Sequence, residues 1–297
     1  MSLTFTKAER KKSRLRLGLT GPSGAGKTYS ALLIAKGMGG RIAVLDTEKG
    51  SASLYTHLVD YDVLELQPPY APERFIEAIN AAEAEGYDIL IMDSITHEWN
   101  GSGGCLELND QIATSKYRGN TWSAWNETSA RHRAFIDKMM QSKMHIIATM
   151  RSKTETAQQE NIQGKKSVIK IGMKAEQRES VEYEFTVVLD ITHEGHYAVA
   201  SKDRTGLFVD KDPKTITTKT GKTILNWLEQ GIEPKNHEPT PDYTAMIHAC
   251  TNMTDLASCW QMIPAELRKT YEHTKNEQKT LLTQPETPTT QEEKTHG

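Results

Sequence analysis

Short apolar runs alternate with longer amphipathic stretches through the first half of the chain, and that rhythm predicts a β-α-β fold. Leu15–Leu19 alternates apolar and other residues as a strand does, and Ile42–Asp46, Val63–Leu66, Ile89–Asp93 and His145–Thr149 predict four more strands. Several of these runs are apolar without interruption, as expected of strands buried on both faces. Between them, Tyr29–Gly37, Pro72–Glu85 and Ser123–Gln141 predict helices, the second with Phe75, Ile76 and Ile79 on one face. The fold class expected is α/β: a mainly parallel sheet with helices on both sides.

The second half has a different texture. Arg151–Lys166 is polar and carries no periodicity, so a loop is expected there. Val168–Ile171, Glu184–Ile191 and His196–Ala200 predict strands, the last two joined as a hairpin through Thr192–Gly195. Lys222–Gln230 predicts a short helix stopped by Gly231. The expected organisation is a core over residues 1–233, a proline-containing linker over 234–241, a helical module of two or three amphipathic helices over 242–282, and a Thr/Glu/Pro-rich disordered tail over 283–297.

Composition narrows the classes. Thirty-six Lys+Arg against 39 Asp+Glu leave a net charge of −3 over 297 residues, which excludes a uniformly basic nucleic-acid coat but not a local basic groove. Three cysteines without CxxC spacing argue against a disulfide scaffold or a structural zinc site. The start of the chain has no apolar signal segment and no run approaches a membrane span, so a cytoplasmic protein without membrane association is expected.

The chemistry centres on Gly21-x-x-x-x-Gly26-Lys27-Thr28, a full match to the phosphate-binding G-x-x-x-x-G-K-[ST] pattern set between a strand and a helix. The loop Gly21, Pro22, Ser23, Gly24, Ala25 and Gly26 can curl around phosphate oxygens at a helix start, offering the backbone N–H groups of all but Pro22, with Tyr29 next in line. Lys27 can reach the β/γ-phosphates and the Thr28 hydroxyl can hold Mg²⁺. Asp93 ends an apolar strand and so lies over the crevice of an open α/β sheet, as a second Mg²⁺ partner. Glu48, just past the second strand, can orient water at the γ-phosphate if that strand neighbours the first, and otherwise is a solvated loop acid. His97, four residues beyond Asp93, is a phosphate sensor or an ordinary satisfied histidine.

A P-loop, a Glu after the second strand and an Asp93-Ser94 pair together resemble the RecA-like ATPase core. More narrowly, residues 10–210 resemble the phage-encoded RecA-like ATPases of the single-strand annealing and recombination group, often described simply as AAA-family ATPases. The resemblance rests on Gly21–Thr28, Asp46–Glu48, Asp93–His97, Lys174–Phe185 and Lys202–Gly206. It implies ATP and Mg²⁺ as cofactors and Glu48 as catalytic base. It implies Lys202 and Arg204 as finger residues offered to a neighbouring subunit's ATP, hence a homo-oligomer, ring or filament, in the host cytoplasm.

It also implies single-stranded DNA as a partner, held by loops after the third and fourth core strands. The second of these carries Arg151, Lys153, Lys165, Lys166, Lys170 and Lys174. The first carries Arg118, with Trp122 and Trp125 nearby as base-stacking residues or as core anchors. The tail could dock a single-strand-binding protein. A hexameric helicase-type motor and a P-loop small-molecule kinase are the alternative readings, the second weakened by the scatter of the arginines.

Overall fold

The computed structural model describes residue 5 and residues 7–160, 166–232 and 242–283. Lys165, the whole of the 234–241 linker and the tail from residue 284 lie outside the described residues. The chain divides into two compact units, Met1–Glu233 and Pro234–Gly297.

The first unit is built on a sheet of nine strands: β1 (Arg16–Gly21), β2 (Ile42–Asp46), β3 (Asp62–Glu65), β4 (Ile89–Asp93), β5 (His145–Glu160), β6 (Lys166–Ala175), β7 (Val187–Ile191), β8 (Tyr197–Asp203) and β9 (Lys214–Thr215). Their order is β3-β2-β4-β5-β1-β7-β8-β9, with β6 paired to β5 off this path. The pairs from β3 through β7 are parallel, and β8 and β9 close one edge antiparallel. Helices α1 (Lys27–Met38), α2 (Pro72–Ala84), α3 (Thr96–Asn100), α4 (Cys105–Lys116), α5 (Thr121–Gln141) and α6 (Thr218–Leu228) complete the unit.

The unbroken apolar runs serve two cores. Ile89 and Ile91 of β4 join Leu17, Leu19, Ile34, Val44 and Ile224 on one face, while Leu90 and Met92 join Phe75, Ile79, Phe135 and Met139 on the other. Strand periodicity sends neighbours to opposite faces, so burial on both leaves no polar position. Arg16 is one of the buried polar exceptions. Its guanidinium donates to the carbonyls of Met140 (2.9 Å), Met144 (2.8 Å) and Ser142, placing a cation on the orphan carbonyls at the end of α5. Burial pulls its pKa down to about 10, which leaves it charged at neutral pH.

Two expected loops are regular structure. Arg151–Glu160 continues β5 as an arm, paired antiparallel with β6 from Ser152↔Ala175 to Glu160↔Lys166. The stretch is polar and without alternation, so the sequence hid the ladder. The stretch after β4 contains α3 and α4, where α4 buries only Cys105, Asn109 and Ala113, too thin a stripe to register as apolar periodicity. Glu98 of α3 is fully buried. Its oxygens accept from Cys105 Sγ (3.1 Å), His132 Nδ1 (3.0 Å) and Gln177 Nε2 (3.3 Å), so this Glu/Cys/His cluster is a satisfied polar core.

The second unit contains α7 (Tyr243–His248), α8 (Met253–Met262) and α9 (Ala265–Thr283) around Tyr243, Ile247, Leu256, Cys259 and Ile263. Asp242 and Asn252 cap α7 and α8 by accepting the N–H groups of Ala245 and Asp255. No helix among the described residues is long and apolar enough to cross a membrane.

Candidate active site

The Gly21–Thr28 loop leaves the end of β1 and enters α1. Gly26 stands at the N-cap of α1 with φ 85°, a left-handed backbone in which a side chain is strained. At Gly21, a Cβ would lie 2.7 Å from the Ile191 carbonyl oxygen, so the approach of β7 also excludes a side chain. Lys27 Nζ donates to the Gly21 and Pro22 carbonyls at 3.0 and 2.9 Å. Burial lowers its pKa, opposed by the nearby Asp93 and Glu48 carboxylates.

Strand β5 lies between β1 and β4, and its Thr149 bridges them at the carboxyl end. Asp93 accepts from Thr149 Oγ1 and, at 2.5 Å, from Thr28 Oγ1. Burial pushes the Asp93 carboxyl up, and the two hydroxyl donors oppose that. A hydroxyl and a carboxylate this close, beside Lys27, are hard oxygen donors suited to Mg²⁺ carried by a nucleotide.

Glu48 reaches this cleft by a route the sequence reading did not foresee. Strand β2 does not neighbour β1, because β4 and β5 intervene. Buried Asp46 instead folds the following turn, accepting the N–H of Glu48 at 2.6 Å and of Ala52 at 2.9 Å. Thr47 shares a 2.6 Å hydrogen bond with His97 Nδ1 and accepts from the Ser94 N–H at 2.9 Å, tying the turn to the end of β4. His97 stacks on Tyr70 (5.1 Å), and burial and Arg151 lower its pKa. It supports the Glu48 turn.

Arg151, expected on a nucleic-acid loop, is in the cleft. Its Nε and Nη2 lie 3.0 and 2.9 Å from Glu48 Oε1. Alternation explains this: Arg151 is two residues beyond Thr149, on the same face of β5, and pairs with Gly21 in register. The cleft, with a cavity volume of about 420 Å³, is lined by Ser23, Gly24, Gly26, Lys27, Thr28, Glu48, Ser51, Leu54, Tyr55, Asp93 and Arg151. Leu54 is exposed, and Tyr55 meets Tyr29 edge-on with ring centroids 6.1 Å apart, a wall on which a planar base could stack. Leu54 and Tyr55 were missed in the sequence reading, where Asp46 figures only within the stretch Asp46–Glu48 and without a role of its own. The spacing of Tyr55 seven residues after Glu48 carried no periodic signal.

Lys202 and Arg204 are elsewhere. Strand β8 runs antiparallel to β7, so Lys202, beside Val188, lies toward the end of the sheet away from the P-loop. Lys202 Nζ donates to the Glu182 carbonyl (3.0 Å) and to that of Tyr183, which also accepts from Arg204 Nη2 at 3.0 Å. Burial and Arg204 pull the Lys202 pKa down.

Of the residues read as nucleic-acid contacts, Lys153 begins the arm, and Lys166 and Lys170 sit on β6 opposite Glu160 and Thr156. Lys174 pairs with Glu179 at 2.7 Å. Arg118 is exposed in the turn between α4 and α5, near the exposed Trp122. Trp125 instead stacks on Trp99 at 5.6 Å, an internal contact.

A glycine-rich cradle at a helix start, a buried strand-end Asp bonded to its Thr, and a parallel sheet define a P-loop NTPase. The family model for the AAA domain matches residues 13–226, well over half of the chain. The protein belongs to that family and is an AAA-type P-loop ATPase. A search of curated proteins finds no match.

Proposed function

We propose that the chain hydrolyses ATP within a homo-oligomer and couples the hydrolysis to single-stranded DNA in recombination, as an annealing or mediator protein. The observation that carries this reading is the position of Arg151. It pairs with Glu48 in the phosphate cleft on the strand that continues, without interruption, into the β5–β6 arm bearing Lys153, Lys166, Lys170 and Lys174.

In this reading the base stacks on Tyr55 and the phosphates lie in the Gly21–Thr28 cradle. Glu48 takes a proton from the attacking water as the water oxygen bonds to the γ-phosphorus and the bond from that phosphorus to the β,γ-bridging oxygen breaks, its electron pair leaving with ADP, while Lys27 stabilises the charge that develops on the phosphates. Thr28 and Asp93 would hold a Mg²⁺ carried by the nucleotide, which would supply neutralisation of phosphate charge. The distance of Lys202 and Arg204 from their own P-loop supports their use on a neighbour's nucleotide. The arm's cations would track a sugar-phosphate backbone, with exposed Trp122 offering a surface for a base.

The test is ATP turnover by the full chain with and without a mixed-sequence single-stranded oligonucleotide, at low and at raised salt. Stimulation that fades as salt rises is expected. An unchanged rate together with no retention of the oligonucleotide at low salt would refute the DNA-coupled reading.

A further inference from the structure

The hairpin turn between β7 and β8 lies against the outer side of the phosphate loop, and two histidines face that loop from it. His196 Nδ1 donates to the Ala25 carbonyl at 3.0 Å, and the His193 ring comes within 3.4 Å of where a Cβ on Gly24 would stand. Thr192 braces the turn through its N–H to the Tyr197 carbonyl at 2.9 Å and its hydroxyl to the Glu194 carbonyl at 2.7 Å. We propose that His196 is a positioning residue of the phosphate cradle, one that strengthens nucleotide binding through the Ala25–Gly26 peptide without touching the nucleotide.

The chemistry follows from which peptide is held. The carbonyl of Ala25 and the N–H of Gly26 belong to one planar unit. That unit opens α1, where a phosphate is cradled by backbone N–H groups at the positive end of the helix. A donor on the carbonyl fixes the rotation of the unit and polarises it, so its N–H is a stronger and better-aimed donor on the opposite side. The backbone at 196 argues that the side chain has this task. Gly195 and His196 are both left-handed, at φ 72° and 52°. Gly or Asn holds such a conformation with less strain than His, so the turn geometry does not call for an imidazole.

The proposal rests on Gly21–Thr28 being the nucleotide site, and the experiment separates the two claims. His196→Gly removes the donor while relieving the left-handed backbone, and His196→Asn keeps an N–H donor near the place of Nδ1 and tolerates the same φ. Each is compared with the unaltered protein and with Lys27→Ala for equilibrium affinity for Mg-ADP, single-turnover rate and thermal midpoint. His196→Gly should fold with an undiminished midpoint, bind about three- to tenfold more weakly, and keep its rate from the bound state within about twofold, as expected for one neutral hydrogen bond. His196→Asn should recover the affinity to within about twofold. Equal affinity for His196→Gly and the unaltered protein, or equal impairment of the Gly and Asn variants, would overturn the role of His196 while leaving the cradle intact. Undiminished binding by Lys27→Ala would overturn the cradle reading itself.

Discussion

Replacing Glu48 by Gln separates the catalytic part of the site from its structural part. The change is nearly isosteric, and the amide oxygen can still accept from Arg151 Nε and Nη2, now at 3.0 and 2.9 Å from Oε1. The two partners are 43% and 29% exposed, so the lost ion pair contributes no more than about 1 kcal/mol to folding. For a unit of this size that moves the thermal midpoint by at most about 4 °C. The Asp46 bonds that shape the turn go to backbone N–H groups and are untouched. Nucleotide affinity should therefore hold, because Lys27, Thr28 and the glycine loop are unchanged. Catalysis is different, since an amide cannot take the proton from attacking water. Loss of a general base costs about 10²–10⁴ in rate, equivalent to about 3–5 kcal/mol in the barrier, several times the stability term. The assay is single-turnover hydrolysis of ATP after pre-binding, with equilibrium dialysis of ADP and a thermal scan on the same preparation. A rate within several-fold of the unaltered protein, at normal affinity, would remove Glu48 from the role of base.

Arg204→Ala should abolish turnover alone and regain it when mixed with Lys27→Ala. Each variant lacks a different half of a shared site, and random assembly restores on the order of a quarter of the sites; no recovery in the mixture would refute action across an interface. His145 sets an acid limit on folding. Its Nδ1 accepts the Leu15 N–H at 3.0 Å, and burial, with Arg14 and Arg16 beside it, overrides Glu229 and Asp88 to pull its pKa from 6.5 to about 4. The unfolded chain then binds the proton first, so stability present above pH 6.5 is lost as pH falls towards 4, on the order of 3 kcal/mol. His145→Asn keeps an acceptor for Leu15 and does not titrate there; urea midpoints for both proteins should converge as the pH falls, and parallel pH profiles would contradict the assignment.

What was legible in the sequence was what the core imposes. Ile89–Asp93 and His145–Thr149 are buried on both faces, and their composition says so directly. The glycine loop is legible because its residue types are demanded by local backbone and phosphate chemistry. The arm was not, because Arg151–Lys166 is polar and offers no alternation to read. The pairing of Arg151 with Glu48 was not read because the expected strand ends at Thr149. Carrying the alternation two residues further would have placed Arg151 on the face that Thr149 turns to Asp93. Glu48 was reasoned from strand adjacency, and the actual order defeats that reasoning. Its place depends on Asp46 folding a turn, a long-range fact with no periodic signature.

The supports of the cleft and of the arm are the same residues. On the β5 side, the Arg151 N–H donates to Thr96 Oγ1 at 2.9 Å while its side chain holds Glu48. On the β6 side, Gln177, two residues past the strand, donates to the Ile95 carbonyl at 3.0 Å and to Glu98 at 3.3 Å. Ile95, Thr96 and Glu98 all follow Asp93 within five residues, so the segment that begins at Asp93 carries both strands of the arm at their base. His97, from the same segment, holds the turn that presents Glu48. A displacement of Asp93 could not leave the arm's root unstrained, because Ile95 also donates its N–H to the Thr149 carbonyl at 3.1 Å and is itself fully buried. Close-packed elements of this kind move as units rather than deform. The geometry thus puts nucleotide chemistry and the proposed DNA-facing arm on one mechanical element, which is why the ATPase rate is the natural place to look for a response to a single strand.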